Sequence, residues 1–491
     1  MAYTTITKAS AHFNNIIWTG DGNATRSFTG VGFRPDLIWT KNRSATDNHG
    51  WIDSVRGVNL RISSSTTAST ITSPSSGYLS SFDSDGFSVQ AGSSSTANFN
   101  TNSENYASWA WLAGGTAPTK TYKVVVVSDS GNKYRFRNSG DTATFGASAV
   151  TLDLQEGGTY TFDVSDSTLN SHPFVIGTAA NSSEYSTGVT YKLDGVTKTY
   201  SQYTSGFSAA TSRQLIITLA ASAPALYYWC SQHSGMGGAI NTNSTFGSSN
   251  FDGNVQSLVS VNSTAGFSIV KYTGDGSGSG TIGHGLGATP DVTIMRPLNY
   301  TGAWWIAHKD LSTDNLLEFN ANNQAAYNSF GGGGLRYSQY TSSVIAGGNG
   351  SSNSDLWNKS SEPYIAYCFS EKQGFSKFGS YSPSGGGGTD DGPFIYTGFA
   401  PKLLIIKNNH TGSRNWVLYD DKRESTHHKY IQPTLNNAEG DAAHLDVRLL
   451  SNGFKVQGAN GEINTGDGVE YTYYAWGQSL VGTNNVPTTA R

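Results

Sequence analysis

Tyr471-Thr-Tyr-Tyr474-Ala-Trp476 closes the last third of the chain, and its pattern occurs twice before, as Tyr106-Ala-Ser-Trp109-Ala-Trp111 and as Tyr364-Ile-Ala-Tyr367-Cys368-Phe369. Large rings alternate with small residues, the period-2 signature of a strand packed in a core. Cys368 takes the small slot held by Ala110 and Ala475, which reads as a small buried residue rather than a reactive thiol.

Upstream of each closing motif come matching landmarks. Val31-Gly-Phe33-Arg-Pro35-Asp-Leu-Ile-Trp39 pairs with Thr397-Gly-Phe399-Ala-Pro401-Lys-Leu-Leu-Ile405 and, more weakly, with Leu286-Gly-Ala-Thr-Pro290-Asp-Val-Thr-Ile294. Ser84-Asp-Gly86-Phe87-Ser-Val89 pairs with Ser451-Asn-Gly453-Phe454-Lys-Val456. Three copies of about a hundred residues follow, in the order repeat, insert, repeat, repeat. That length suits β-sandwich-like domains, each with its own core. The expected layout is a leader at 1–12, repeats at 13–115, 266–373 and 374–479, an insert at 116–240, a polar linker at 241–265 and a tail at 480–491.

Composition agrees with an all-β, multidomain chain. At 491 residues it exceeds one compact core. Gly, Ser, Thr and Asn punctuate aromatic and β-branched runs, and the 12% aromatic content argues against disorder. A net charge of −4 lacks the basic stripe of a nucleic-acid binder. No apolar run spans a bilayer and no secretory signal opens the chain, so neither membrane insertion nor export is expected. Two cysteines make no disulfide framework.

The insert carries the sharpest chemistry. Tyr227-Tyr-Trp-Cys230-Ser-Gln-His233-Ser-Gly-Met236-Gly-Gly places thiol, imidazole and thioether on a Gly-rich loop after an aromatic strand, and His172 stands upstream before Pro173-Phe174. Two imidazoles, one thiolate and a long axial thioether are the donors of a blue-copper site. On these residues the insert resembles the cupredoxin family, and the short Cys-x-x-His-x-x-Met spacing is similar to amicyanin-like members. The resemblance implies a Greek-key β-sandwich binding copper through His172, Cys230 and His233, with Met236 axial. The polar stretch from Ser182 to Ser212 departs from the family pattern.

The repeats together with this loop also resemble structural proteins of tailed, marine-type phages. That resemblance implies a virion surface component assembled in the host cytoplasm, a tail or head fibre or a decoration protein. It implies other virion proteins as partners, a homo-oligomer (a trimer by analogy) and attachment to a host-surface glycan or protein. The competing reading is a copper redox protein of cupredoxin type with β appendages; a depolymerising tailspike is a third. No catalytic residue is assigned: Asp83, Asp85, Asp390 and Asp391 sit in turn-like sequence, and His284, His308 and His427-His428 lack ligand spacing. Asp53-Ser-Val-Arg56 and Asp420-Asp-Lys-Arg423 read as surface or interdomain ion pairs. In Trp304-Trp305, neighbours on a strand face opposite ways, so one ring is expected at an interface or as a binding platform.

Overall fold

A computed structural model describes residues 3–243, 246–311, 314–323, 335–347, 357–384, 391–410, 414–423, 427–466 and 468–481. Gly385 to Gly388, Asp390 and most of the tail lie outside the described residues. The protein is all-β and multidomain, and Tyr200–Gly206 is the one α-helix among the described residues. No helix among them is long and apolar enough to cross a membrane. The chain divides into two compact units: Met1–Ala113 with Val261–Gly280 and Leu286–Arg491, and Gly114–Ser260 with Thr281–Gly285.

The first unit contains all three repeats, each built on the same antiparallel sheet. Its strand order is Phe13–Thr19, Asn105–Trp111, Leu37–Asn42, Gly50–Asp53 in the first copy. The second copy gives Phe267–Thr273, Pro363–Phe369, Val292–Pro297, Trp305–His308, with Leu316–Glu318 added at the edge. The third gives Ser376–Tyr381, Tyr471–Ser479, Phe399–Asn408, Val417–Asp420. The closing motif is therefore a central strand, as its alternation requires. Registers coincide: Leu37 faces Trp111, Val292 faces Phe369, and Leu403 faces Trp476.

The copies are not independent. Trp111, Phe369 and Trp476 meet one another, with ring centroids 5.2 to 6.4 Å apart. Around this cluster each copy grips the one before it in a cycle. Tyr367 of the second copy donates to Asp53 of the first at 2.8 Å, the Tyr474 ring of the third meets His308 of the second, and Trp109 of the first donates to Asp420 of the third at 3.0 Å. Asp53, His308 and Asp420 hold equivalent positions, opposite Leu37, Val292 and Leu403. A second ring runs the same way: Trp304 donates to Ser63 O, Trp416 donates to Glu318 O, and His49 lies against the backbone of Gln432 and Leu435.

Expected domains with separate cores are thus replaced by three lobes of one unit. The inner strands of each sheet bury both faces: in the first copy Ile38 and Ile52 pack against the outer sheet, while Trp39 and Trp51 meet Phe319 and Trp304 of the second copy. Small lobe cores remain, such as Phe28, Ile38, Ile52, Leu79, Phe87, Val89 and Phe99 in the first copy. The ion pairs are likewise buried rather than superficial: Arg56 and Arg423 bind Asp53 and Asp420 through Nε at 2.5 and 2.6 Å, each pair almost wholly excluded from solvent. Both tryptophans of Trp304-Trp305 are buried: Trp305 opens a strand of the second copy, and Trp304 sits at the interface with the first, its ring 5.2 Å from Trp51, so neither is left open as a binding platform. The supposed leader is packed too, with Thr4, Ile6 and Ala9 buried and Ala9 N donating to Gln478.

The second unit is a two-sheet sandwich. One sheet orders Asn132–Phe136, Thr119–Ser128, Thr159–Asp163, Arg213–Thr218, Val189–Leu193, Val196–Lys198. The other orders Leu152–Gln155, Ala239–Asn243, Leu226–Cys230, Phe174–Ala179, Ser182–Glu184. Tyr122, Phe136, Phe162, Phe174 and Tyr228 fill the space between them. The turn at Gly157-Gly158 does not make a hairpin; it carries the chain from one sheet to the other, and Gly157 has φ +79°. Residues 241–265 are no linker, since Ser248–Asn250 and Ser257–Asn262 form strands there. Ser182 to Ser212 is ordered as well: Tyr191, Leu193, Tyr203 and Phe207 join the core, and Thr199 and Gln202 form a capping box on the helix.

Candidate metal centre

Cys230 ends the strand Leu226–Cys230, directly opposite Phe174 on the neighbouring strand. His172 lies two residues before Phe174. A one-turn 3₁₀ helix, Ser167–Leu169, holds it there through His172 N donating to Leu169 O at 2.8 Å. Asp166 caps that turn by accepting from Thr168 N. Ser231 N donates to Pro173 O at 3.1 Å, so the pairing of the two strands continues past Cys230 into the loop.

The loop then returns tightly. Gly235 has φ +74°, and its N–H donates to Asn181 Oδ1 at 2.8 Å. A Cβ on Gly237 would collide with the Tyr228 carbonyl, and one on Gly238 with that of Ala149. These glycines exist so that the loop can lie flat on its own strand. Tyr228 N donates to Gly238 O and Tyr134 N to Met236 O, which fixes both ends of the return.

Three of the four expected ligands converge. The two Nδ1 atoms of His172 and His233 stand 3.0 Å apart, and Cys230 Sγ lies 3.9 Å from the first and 3.7 Å from the second. Donors held about 2.0–2.3 Å from one shared ion have separations of this size. Two imidazole nitrogens and a thiol turned inward on one point suit a soft or borderline transition metal, copper among them. Met236, the fourth, is buried in the core beneath the loop.

Surrounding groups set the orientation. His172 is almost buried, and that burial, then the neighbouring His233, lowers its pKa, leaving the imidazole neutral as a ligand must be. Its Nε2 lies 3.3 Å from the Asn132 side-chain Nδ2, which donates to it. Tyr134 OH donates to His172 O at 2.9 Å, and burial beside Cys230 pushes its own pKa well up. His233 is exposed and opens the centre to solvent.

Sequence reasoning missed the residues that hold this arrangement, Asn132, Tyr134 and Asn181. No local pattern marks them, because each reaches the centre from a distant part of the fold. Elsewhere, Asp85 accepts from Gly30 N and Gly32 N, and Asp83 accepts from Ser81 and Ser88. Cys230 and Cys368 are both free and buried, and burial raises the Cys368 thiol to about 12. Among the described residues, His172, Cys230 and His233 are the one group of His, Cys and acidic side chains placed to share an ion.

The chain belongs to the DUF7483 family, a domain family of unknown function whose model matches residues 8–148 and 191–479. The match includes Cys230, His233 and Met236 and omits the stretch that holds His172. No curated protein matches the chain, and neither does any solved structure.

Proposed function

We propose that this member of the family is a structural protein of a phage particle surface whose second unit carries one copper ion. The observation that carries the copper reading is the triangle of His172 Nδ1, His233 Nδ1 and Cys230 Sγ, with sides of 3.0, 3.7 and 3.9 Å. His172 and His233 would hold it through imidazole nitrogens and Cys230 through a thiolate, with the Met236 thioether as the further donor that the sequence offers. Bound there, copper supplies one-electron chemistry through a thiolate ligand. The chain's own contribution is to hold the three donors in place, to keep His172 neutral, and to limit water to the His233 side.

The structural reading is supported by the interlocked first unit, in which buried ion pairs and aromatic rings join three lobes. Such a unit suits a part that must stay folded on an exposed particle and present its loops to other virion proteins or to a host-surface glycan or protein. The electron-carrier reading rests on the same ligand triangle, and the Asn132 and Tyr134 contacts serve either role.

Copper(II) added to the apo protein is expected to give a strong visible thiolate charge-transfer band at one equivalent. Cys230→Ser removes the band, and His172→Ala weakens binding. A chain that takes up no copper defeats the copper reading and leaves the structural one untouched. For the latter, antibody labelling of intact particles decides: a chain found only inside the particle, or absent from it, defeats surface display.

A further inference from the structure

The internal repeat provides its own control for a surface feature that the fold does not require. In the first copy the outer sheet is Thr25–Phe28, Gly86–Gln90, Tyr78–Asp83; in the third it is Phe394–Tyr396, Gly453–Val456, Val447–Leu450. The registers correspond, since Phe28 faces Phe87 as Ile395 faces Phe454, and Asp83 faces Gly86 as Leu450 faces Gly453. On the solvent side of the first copy, Ser27, Ser81, Ser88 and Asp83 satisfy one another through hydrogen bonds of 2.6 to 2.7 Å. The same positions in the third copy hold Phe394, Arg448, Lys455 and Leu450, and Tyr396 follows where the first copy has Thr29.

This face is apolar and cationic at once. Phe394, Tyr396 and Leu450 are 47%, 59% and 39% exposed, and Phe394 and Tyr396 are the two exposed Phe, Tyr or Trp rings among the described residues. Phe394 faces Lys455, which in turn faces Arg448, so one row of the grid runs ring, ammonium, guanidinium. Arg448 reaches Asp446 only at 3.7 Å and remains half exposed. Lys455 donates to Gly392 O at 2.5 Å and pairs with Asp391, which is 80% exposed and is readily exchanged for an incoming anion.

We propose that this outer face of the third copy binds an acidic saccharide, a sugar chain bearing carboxylates. Rings lying open on a sheet offer negative faces to polarised C–H groups of a pyranose, and Arg448 and Lys455 pair with its carboxylates. Size favours this occupant over a protein. Three strands about 4.8 Å apart and residues two positions along give a patch of about 10 by 7 Å, far below the roughly 800 Å² that each partner contributes to a stable protein interface. The proposal deepens the attachment reading by giving it a ligand class and a surface.

The test is calorimetric titration of the full chain with oligogalacturonate, alongside its neutral methyl ester. Binding is expected for the acid, at least tenfold weaker for the ester, and at least tenfold weaker for Tyr396→Thr and Arg448→Gln. Ser27→Ala on the first copy changes nothing. The substituted side chains are exposed, and circular dichroism verifies that each variant folds. Absent binding overturns the proposal, as does binding indifferent to Phe394→Ala and Tyr396→Thr. Self-association abolished by Tyr396→Thr also overturns it, by assigning the face to a second copy. Binding by a chain that is absent from the particle surface leaves this face standing and removes only the attachment reading.

Discussion

At the residue scale, the buried cations are the most informative feature outside the candidate metal centre. Lys41, Arg296 and Lys407 hold one equivalent position in the three copies, opposite Ala107, Ile365 and Thr472. Among the described residues none has a carboxylate in hydrogen-bond contact; backbone carbonyls accept their protons, as where Lys407 donates to Arg414 O at 2.6 Å and Arg296 to Ala68 O at 2.5 Å. Burial lowers Lys407 to about 7 and Lys41 to about 8. Between those values and the ordinary lysine pKa, the unfolded chain holds protons that the native chain has released, so stability rises with pH. The urea midpoint is expected to climb from pH 7 towards 10, and Lys407→Met to flatten that slope. His308, lowered by burial to about 3, works at the acid end. Below its ordinary pKa the unfolded state alone takes up the proton, so stability is lost as pH falls from about 6.5 towards 3. His308→Phe is expected to lessen that acid loss in the same denaturation series.

Among the elements, the returning loop after Cys230 depends on close backbone approach. Gly237→Ala forces the new methyl into the Tyr228 carbonyl and shifts His233 away from Cys230. A cost of about 1–3 kcal/mol is expected, together with weaker copper uptake, read by thermal unfolding and by metal titration on the same variant. This loop was legible in sequence because its chemistry is local: Cys230, His233 and Met236 lie within seven residues, and a strand must precede them. The helix Tyr200–Gly206 and the hairpin before it were not legible. Their apolar residues, Tyr191, Leu193, Tyr203 and Phe207, are thinly spread among polar ones, so their burial depends on the sandwich they cover.

In the whole first unit, the cyclic grips make three copies cooperate. Removing one partner of a buried charge pair strands the other, which costs about 3–5 kcal/mol. Asp420→Ala leaves Arg423 with Glu439 as its one remaining carboxylate among the described residues and deprives Trp109 Nε1 of its acceptor, so it loosens the first copy as well as the third at less than that full cost. Trp476→Ala empties the meeting point of the three closing strands, at about 3–5 kcal/mol. Either variant is expected to lower one shared calorimetric transition for all three copies. Three separate transitions, with only one displaced, contradict the shared core.

Sequence alone determined the period-2 strands, the three copies and the loop that carries Cys230, His233 and Met236, because alternation, repetition and donor spacing are written along the chain. It also determined that Cys368 is a small core residue, since Ala110 and Ala475 occupy its place. Only the tertiary structure decided that the copies share a core. Asp53 meets Tyr367 and Asp420 meets Trp109 across more than three hundred residues, and nothing near either aspartate shows the partner. The same reason applies to His172, which reaches Cys230 because two strands pair in one register. Strand pairing brings distant residues together through backbone hydrogen bonds that any sequence makes, so the partner is chosen by the packing of the whole unit and not by the residues on either side.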